Sequence, residues 1–332
     1  MMKKVDVLTV GEVLIDMFPA EVGTHMGEVR AFTPKPGGAP ANVAVAAKRL
    51  GAKSAFIGKV GEDLFGFHLR DVLEEEGVII QGLRFDREAR TTMAIIAMPD
   101  ENTAEFVFYR NPGADQRLRA EELDRDLVSN AKALHVGSIS LTDEPARSAT
   151  FKAVALARQA GALVSYDVNY RPSLWKSQDQ ALQQARRMIA EVDLVKVNAE
   201  EAALLADKKE VNPGDWEQVE SAARHILDQG PALVVMTFGG QGSCFYLPEG
   251  GKFVAPFQVD TVDAVGCGDA FVAGLLTKLV EDDRWQERLT IDSLTEVLHF
   301  ANAVGALTSL TRGVIPALPY RTQVEEFLNE RS

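Results

Sequence analysis

Late in the chain a two-glycine turn, Gly266-Cys267-Gly268-Asp269, opens an apolar, helix-compatible stretch over 272–280. Two glycines at a helix mouth let backbone N–H groups converge on an anion, and the helix dipole adds positive potential there. The turn is a candidate phosphate cradle built from backbone, without a lysine. Asp269 falls in the first helical turn, where a carboxylate can cap the helix or accept the proton of a nearby hydroxyl. Spacing alone equally permits a plain glycine turn followed by an acid. Asn198-x-x-Glu201 has the spacing of a helix cap and its box partner. Gly37-Gly38 reads as a flexible turn before a helix, and Asp16 as an acid at a strand end.

These residues need elements to position them. Short apolar runs rich in β-branched residues recur at 5–10, 54–60, 133–138, 162–168, 192–197 and 232–238, most followed by helix-length amphipathic stretches. That alternation predicts parallel βαβ units. Residues 215–228 show helical periodicity in Trp216, Val219, Ala223, Ile226 and Leu227, and a helix is expected over 40–50, from Pro40 to just before Gly51. Two regions break the rhythm, about 12–36 and 91–111. The second reads as a hairpin with its turn at 99–102. Together the two could form a small sheet at one edge of the main domain, as a lid or as a plain edge.

Composition narrows the function classes. The 332 residues are 46% hydrophobic and 25% charged, enough for a large core, and the formal net charge is −13. Such a surface repels nucleic acid and anionic lipid, so no nucleic-acid or membrane partner is expected. An anionic substrate would need locally arranged donors or a metal ion. Cys244 and Cys267 are too few for a disulfide framework, and the five histidines lack ligand spacing. No apolar run reaches the ~18 residues of a spanning helix, and a cytoplasmic location is expected.

With these motifs in view, the chain resembles the ribokinase/PfkB carbohydrate kinases. Asp263-x-x-Gly266-x-Gly268-Asp269-Ala270-Phe271 is similar to their C-terminal signature, and Pro36-Gly37-Gly38-Ala39-Pro40-Ala41-Asn42-Val43-Ala44 to their N-terminal one. Gly11-Glu12-Val13-Leu14-Ile15-Asp16, Gly58-Lys59-Val60-Gly61-Glu62-Asp63-x-x-Gly66, Asn198-x-x-Glu201 and Thr237-x-Gly239-x-x-Gly242 appear in the family's order. The resemblance spans nearly the whole chain. It implies a single α/β domain over 1–332: a central, mostly parallel sheet flanked by helices, with a small β-lid formed by about 12–36 and 91–111.

The same resemblance assigns roles. Asp269 would be the general base and Gly266, Cys267 and Gly268 the phosphate turn. Asp16 would bind sugar hydroxyls, with Gly37, Gly38 and Asn42 lining the same pocket. Asn198 and Glu201 would organise Mg-ATP, Glu201 meeting Mg²⁺ through water. Thr237, Gly239 and Gly242 would admit the phosphates and ribose, and Asn302 would lie at the base. Asp263 stands at a position associated with a monovalent cation such as K⁺, although Ala264 and Val265 replace the usual hydroxyl residues. Cys267 replaces a common alanine and sets a thiol at a helix N-terminus, where its pKa could fall; a small apolar filler is the alternative.

For the substrate, Phe108-Tyr109-Arg110-Asn111-Pro112-Gly113-Ala114-Asp115 is similar to the fructokinase form of the lid-and-pocket segment, with Arg110 and Asp115 on the sugar side. Asp167-Val168-Asn169-Tyr170-Arg171-Pro172-x-x-Trp175 resembles both fructokinases and 2-keto-3-deoxygluconate kinases, with Arg171 as a second sugar-side candidate. The resemblance implies ATP-dependent phosphorylation of a primary sugar hydroxyl, with fructose as the expected substrate and 2-keto-3-deoxygluconate as the alternative. A sugar or nucleotide sensor that kept the fold is the reading from another class. The lid could pair across a homodimer or act as a monomeric flap.

Overall fold

The computed structural model describes residues 5–99, 105–282 and 284–331. Its strands are β1 (Val5–Val10), β2 (Leu14–Pro19), β3 (Phe32–Gly37), β4 (Ser54–Gly61), β5 (Ile79–Asp86), β6 (Met93–Ala97), β7 (Glu105–Tyr109), β8 (Ala131–Gly137), β9 (Leu163–Asp167), β10 (Leu194–Asn198), β11 (Leu233–Thr237), β12 (Ser243–Leu247) and β13 (Gly250–Val254). The α-helices are α1 (Ala39–Arg49), α2 (Leu64–Glu75), α3 (Arg125–Ser129), α4 (Ala146–Gln159), α5 (Gln178–Ile189), α6 (Ala199–Leu205), α7 (Trp216–Leu227), α8 (Cys267–Leu279), α9 (Ile291–Thr308) and α10 (Arg321–Asn329).

A 9-stranded sheet runs β13-β12-β11-β10-β9-β8-β1-β4-β5, parallel except for β12 and β13. The expected α/β architecture is present. All six predicted runs are strands of this sheet, and the expected helices at 40–50 and 215–228 are α1 and α7. In β11, Leu233 and Val235 pack into one hydrophobic layer while Val234 and Met236 pack into the other. Burial on both faces follows from helices covering both sides, and explains why these strands read as unbroken apolar runs.

From β1 the chain builds outward in both directions, to β4 and β5 on one side and to β8 and its neighbours on the other. In open parallel sheets such a switch point leaves a crevice beyond the carboxyl ends of the strands. Asp167, Asn198 and Thr237 end β9, β10 and β11 on that side, with Asn198 in register with Thr237.

The regions that broke the α/β rhythm form a second, 4-stranded sheet ordered β3-β2-β6-β7. The β6–β7 hairpin pairs Met93 with Tyr109 and Ala97 with Glu105; the turn expected at 99–102 lies largely outside the described residues. Strands β2 and β6 pair in parallel and join the two regions.

Helix α8 packs on both α1 and α9. Its Val272, Leu275, Leu276 and Leu279 are buried, each contributing about 1.5–3 kcal/mol if fully removed from water. Small residues along α1, including Ala41, Ala44 and Ala47, permit the close approach. This packing fixes the helix mouth that carries the glycine turn.

Candidate active site

Gly266 is the N-cap of α8, in the left-handed region at φ 82°. A Cβ there would also come within 2.4 Å of Val314 Cγ1, so the position requires glycine on two counts. Cys267, Gly268 and Asp269 form the first helical turn, whose N–H groups lack intrahelical acceptors and point outward with the dipole. The side chain of Asp269 does not cap this helix. Its Oδ2 instead accepts a 2.8 Å hydrogen bond from Asn42 Nδ2 on α1. Burial, above all, raises the Asp269 pKa from 3.8 to about 6; Asp167 adds to the rise, while Asn42, Lys196 and Arg171 oppose it. A carboxyl tuned this way is suited to general-base work near neutral pH.

On one side of Asp269 lies a cavity of about 210 Å³, lined among others by Thr237, Gly239, Gly242, Phe257, Gly268 and Asn302. It unites the glycine turn with the residues read as nucleotide-binding. Asn302, expected at the base, has its amide occupied: Oδ1 accepts from Ser243 Oγ at 2.9 Å, and Nδ2 donates to the carbonyls of Val254 and Ala255. It therefore stiffens the cavity wall.

On the other side stands Asp16, on β2. Burial raises its pKa to about 7, the Asp269 charge adds to the rise and Arg171 opposes it. Asp16 is half-buried inside β2 and not at the strand end. Gly37 leaves room for this carboxylate, since a Cβ would fall 1.9 Å from Asp16 Oδ2 and displace it. Gly38, at φ 102°, caps α1 and turns the chain into the helix that carries Asn42. Asn42 Oδ1 is buried without a partner. Asp16, Gly37, Asn42, Arg171 and Asp269 are thus brought to one place from β2, β3, α1, the segment after β9, and α8.

Other expected site residues take more structural parts. Arg110 and Asp115 are a buried ion pair: Arg110 Nε donates to Asp115 Oδ2 at 2.7 Å, and its other nitrogens reach Thr142 Oγ1 and the Ile139 carbonyl. Asp115 Oδ1 accepts from Thr92 at 2.5 Å. The two candidates for the sugar side thus face each other as a buried pair. Asn198 and Glu201 form the reciprocal capping box of α6, with Glu201 Oε2 accepting from Asn198 N–H at 2.8 Å. Glu201 Oε1 accepts from Tyr170 N–H at 2.7 Å, tying α6 to the segment that carries Arg171. Asp263 clamps two loops, its carboxylate accepting from Val265 N–H and Gly313 N–H at 3.0 Å each.

Two features depart from the sequence reading. Cys267 is not activated: burial, with Asp263 and Asp269 nearby, raises its pKa to about 12. Of the two alternatives for Cys267, this setting favours the small apolar filler. Nor is the cradle without lysine. Lys196, on β10, places Nζ 3.4 Å from where a Gly268 Cβ would lie, and forms a buried ion pair with Asp167 at 3.1 Å. Its ammonium stays charged because Asp167, Glu201 and Asp269 offset its desolvation. Sequence patterning hid Lys196 inside an apolar strand run; a lysine in such a run was the available signal.

A backbone anion cradle backed by an ammonium, with a tuned carboxyl between the cavity at the glycine turn and the Asp16 and Arg171 side chains, defines a phosphotransferase on a doubly wound α/β fold. Residues 4–321 match the pfkB family carbohydrate kinase profile. The chain belongs to the pfkB family of carbohydrate kinases. It is 41% identical over 325 residues to probable fructokinase-4 of Arabidopsis thaliana, covering 97% of this chain and 96% of that protein. The crystal structure of fructokinase with bound ATP from Xylella fastidiosa superposes with a TM-score of 0.88 at 32% identity, covering 99% of both chains. A double-mutant fructokinase from Vibrio cholerae O395, in fructose, ADP and potassium ion bound form, gives 0.85 at 32% identity, covering 99% of this chain and 100% of that one.

Proposed function

We propose that this chain is an ATP-dependent fructokinase, transferring the γ-phosphoryl group of ATP to the primary hydroxyl that yields fructose 6-phosphate, with Asp269 as general base. The carrying observation is the position of Asp269: fixed by Asn42, raised by burial to about 6, and seated at the mouth of α8 between the cavity at the glycine turn and Asp16. Asp269 removes the proton from the sugar hydroxyl, whose oxygen attacks the γ-phosphorus in line as the bond to the β,γ-bridging oxygen breaks and ADP leaves. Charge spreading onto the transferred group meets the N–H groups of the 266–269 turn and the Lys196 ammonium. Asp16, Asn42 and Arg171 orient the sugar. The second sheet, as a lid, excludes water that would otherwise hydrolyse ATP.

Among the described residues no three His, Cys, Asp or Glu side chains stand together to hold a metal ion. Both Glu201 oxygens already accept N–H bonds. The site therefore fits magnesium carried on the nucleotide and met by Asn198 and Glu201 through water. When bound, magnesium supplies charge neutralisation on the phosphate oxygens. A monovalent cation such as K⁺ would sit by the Asp263 loop, which the clamp from Gly313 holds in shape.

Fructose is favoured over 2-keto-3-deoxygluconate by the likeness to fructokinases. A sensor would have no use for a base tuned to neutral pH. The test is ADP formation from ATP as a function of added sugar. Release that depends on fructose and exceeds that with 2-keto-3-deoxygluconate is expected; none with fructose sinks the reading.

Three broader readings accompany this one. The continuous main sheet supports a single kinase domain. Val107 and Tyr109, exposed on the edge strand β7, support a homodimer through the lid. Two free cysteines support a cytoplasmic compartment, and no helix among the described residues is long and apolar enough to cross a membrane.

A further inference from the structure

Glu12 is a buried acid that the mechanism above leaves unused. It lies between the end of β1 at Val10 and the start of β2 at Leu14, where the chain leaves the main sheet for the lid sheet. Only 1% of it is exposed. Oε1 accepts a 3.2 Å hydrogen bond from the Ala39 N–H, the first helical residue of α1, while Oε2 is buried without a partner. The Glu12 backbone is equally close: its carbonyl oxygen lies 2.7 Å from where a Gly38 Cβ would be. One turn into α1, Asn42 holds Asp269 Oδ2 at 2.8 Å. Covalent and hydrogen-bonded links thus run from the lid connection through Glu12 to the helix turn that holds the base.

We propose that Glu12 is a positioning residue, tying the lid connection to the first turn of α1 so that Asn42 keeps Asp269 aligned for proton transfer. A buried acid is a costly choice for this task unless it is neutral. Burial raises the Glu12 pKa to about 8; Asp115 and Asp269 add to the rise and Arg110 opposes it. Below that pH Glu12 is an uncharged tie. Above it, Glu12 adds a further negative charge to a site where Asp269 and Asp16 are already ionised, which works against transfer.

The inference rests on the kinase reading, and its experiment separates the two. Turnover and both KM values are measured for wild type, Glu12→Ala and Glu12→Gln from pH 5 to 9, with folding checked by circular dichroism. Glu12→Ala should lower kcat about 10- to 100-fold, as expected for a base displaced by a fraction of an ångström to an ångström, with the KM for ATP little changed. Glu12→Gln keeps the acceptor for Ala39 and should recover most of that loss at pH 7. Wild-type turnover should decline as pH rises through about 8, and the Gln variant should lack that decline. A folded Ala variant with wild-type kcat, or superimposable wild-type and Gln profiles, overturns the proposal. Should the Ala variant fail to fold, the Gln profile decides. If wild type shows no fructose-dependent turnover, the function reading has failed instead. Carbon-13 titration of the Asp269 carboxyl, which needs no substrate, then decides on Glu12: a midpoint shifted in Glu12→Ala but kept in Glu12→Gln supports the tie, and coincident curves for wild type and Glu12→Ala overturn it.

Discussion

Replacing Asp269 by Asn should damage catalysis and strengthen the fold in the same variant. The shape is nearly unchanged, and the Asn42 amide can still donate to the new carbonyl oxygen. In the wild type, burial raises the Asp269 pKa from 3.8 to about 6. A carboxyl with a raised folded-state pKa holds its proton more tightly folded than unfolded. Its ionisation therefore costs nothing below 3.8, costs progressively more as pH rises to about 6, and costs a constant amount above. With about 1.4 kcal/mol per unit, the roughly two-unit shift amounts to about 3 kcal/mol, an upper value for a side chain that is only partly buried. Asp269→Asn lacks this titration. Urea unfolding from pH 4 to 8 should show the two proteins converging at pH 4 and the variant more stable by up to about 3 kcal/mol at pH 7.5. Fructose-dependent ADP formation should fall about 10²–10⁴-fold. Parallel stability curves would refute the raised carboxyl, and near-wild-type turnover in the folded variant would refute its role as base.

Gly37→Ala would put a methyl group 1.9 Å from Asp16 Oδ2 and must displace that carboxylate. The KM for sugar should rise about tenfold or more while the KM for ATP stays near wild type, since the cavity at the glycine turn is untouched; equal changes in both would contradict the division between that cavity and Asp16. Arg110→Ala strands a buried Asp115, and chemical denaturation should register a loss of about 3–5 kcal/mol, against little change if the pair were open to solvent. For Cys267, a pKa raised to about 12 predicts slow alkylation by iodoacetamide at pH 7.5, read by mass spectrometry against a free thiol. Fast labelling that ATP blocks would restore the activated-thiol reading.

The order of motifs along the chain, the apolar strand runs and the glycine turn were legible because they follow local backbone rules. A two-sided sheet needs continuous apolar strands, and a helix mouth that opens in the left-handed region needs glycine, whatever lies elsewhere. From these alone came the α/β class, the anion cradle and, through the resemblance, Asp269 as base with Asp16, Gly37 and Asn42 beside it. The charge state of those groups was not legible. Asn42 meets Asp269 across 227 positions in sequence, and the desolvation that raises Asp269 comes from packing α8 against α1. Tertiary structure also turned Arg110 inward onto Asp115, locked Asn302 into the cavity wall, raised the Cys267 thiol and brought Lys196 beneath the glycine turn. Residue type and spacing determine which backbone geometries are affordable. Burial and the distance between charges, which set pKa and partner, exist only once the chain has folded.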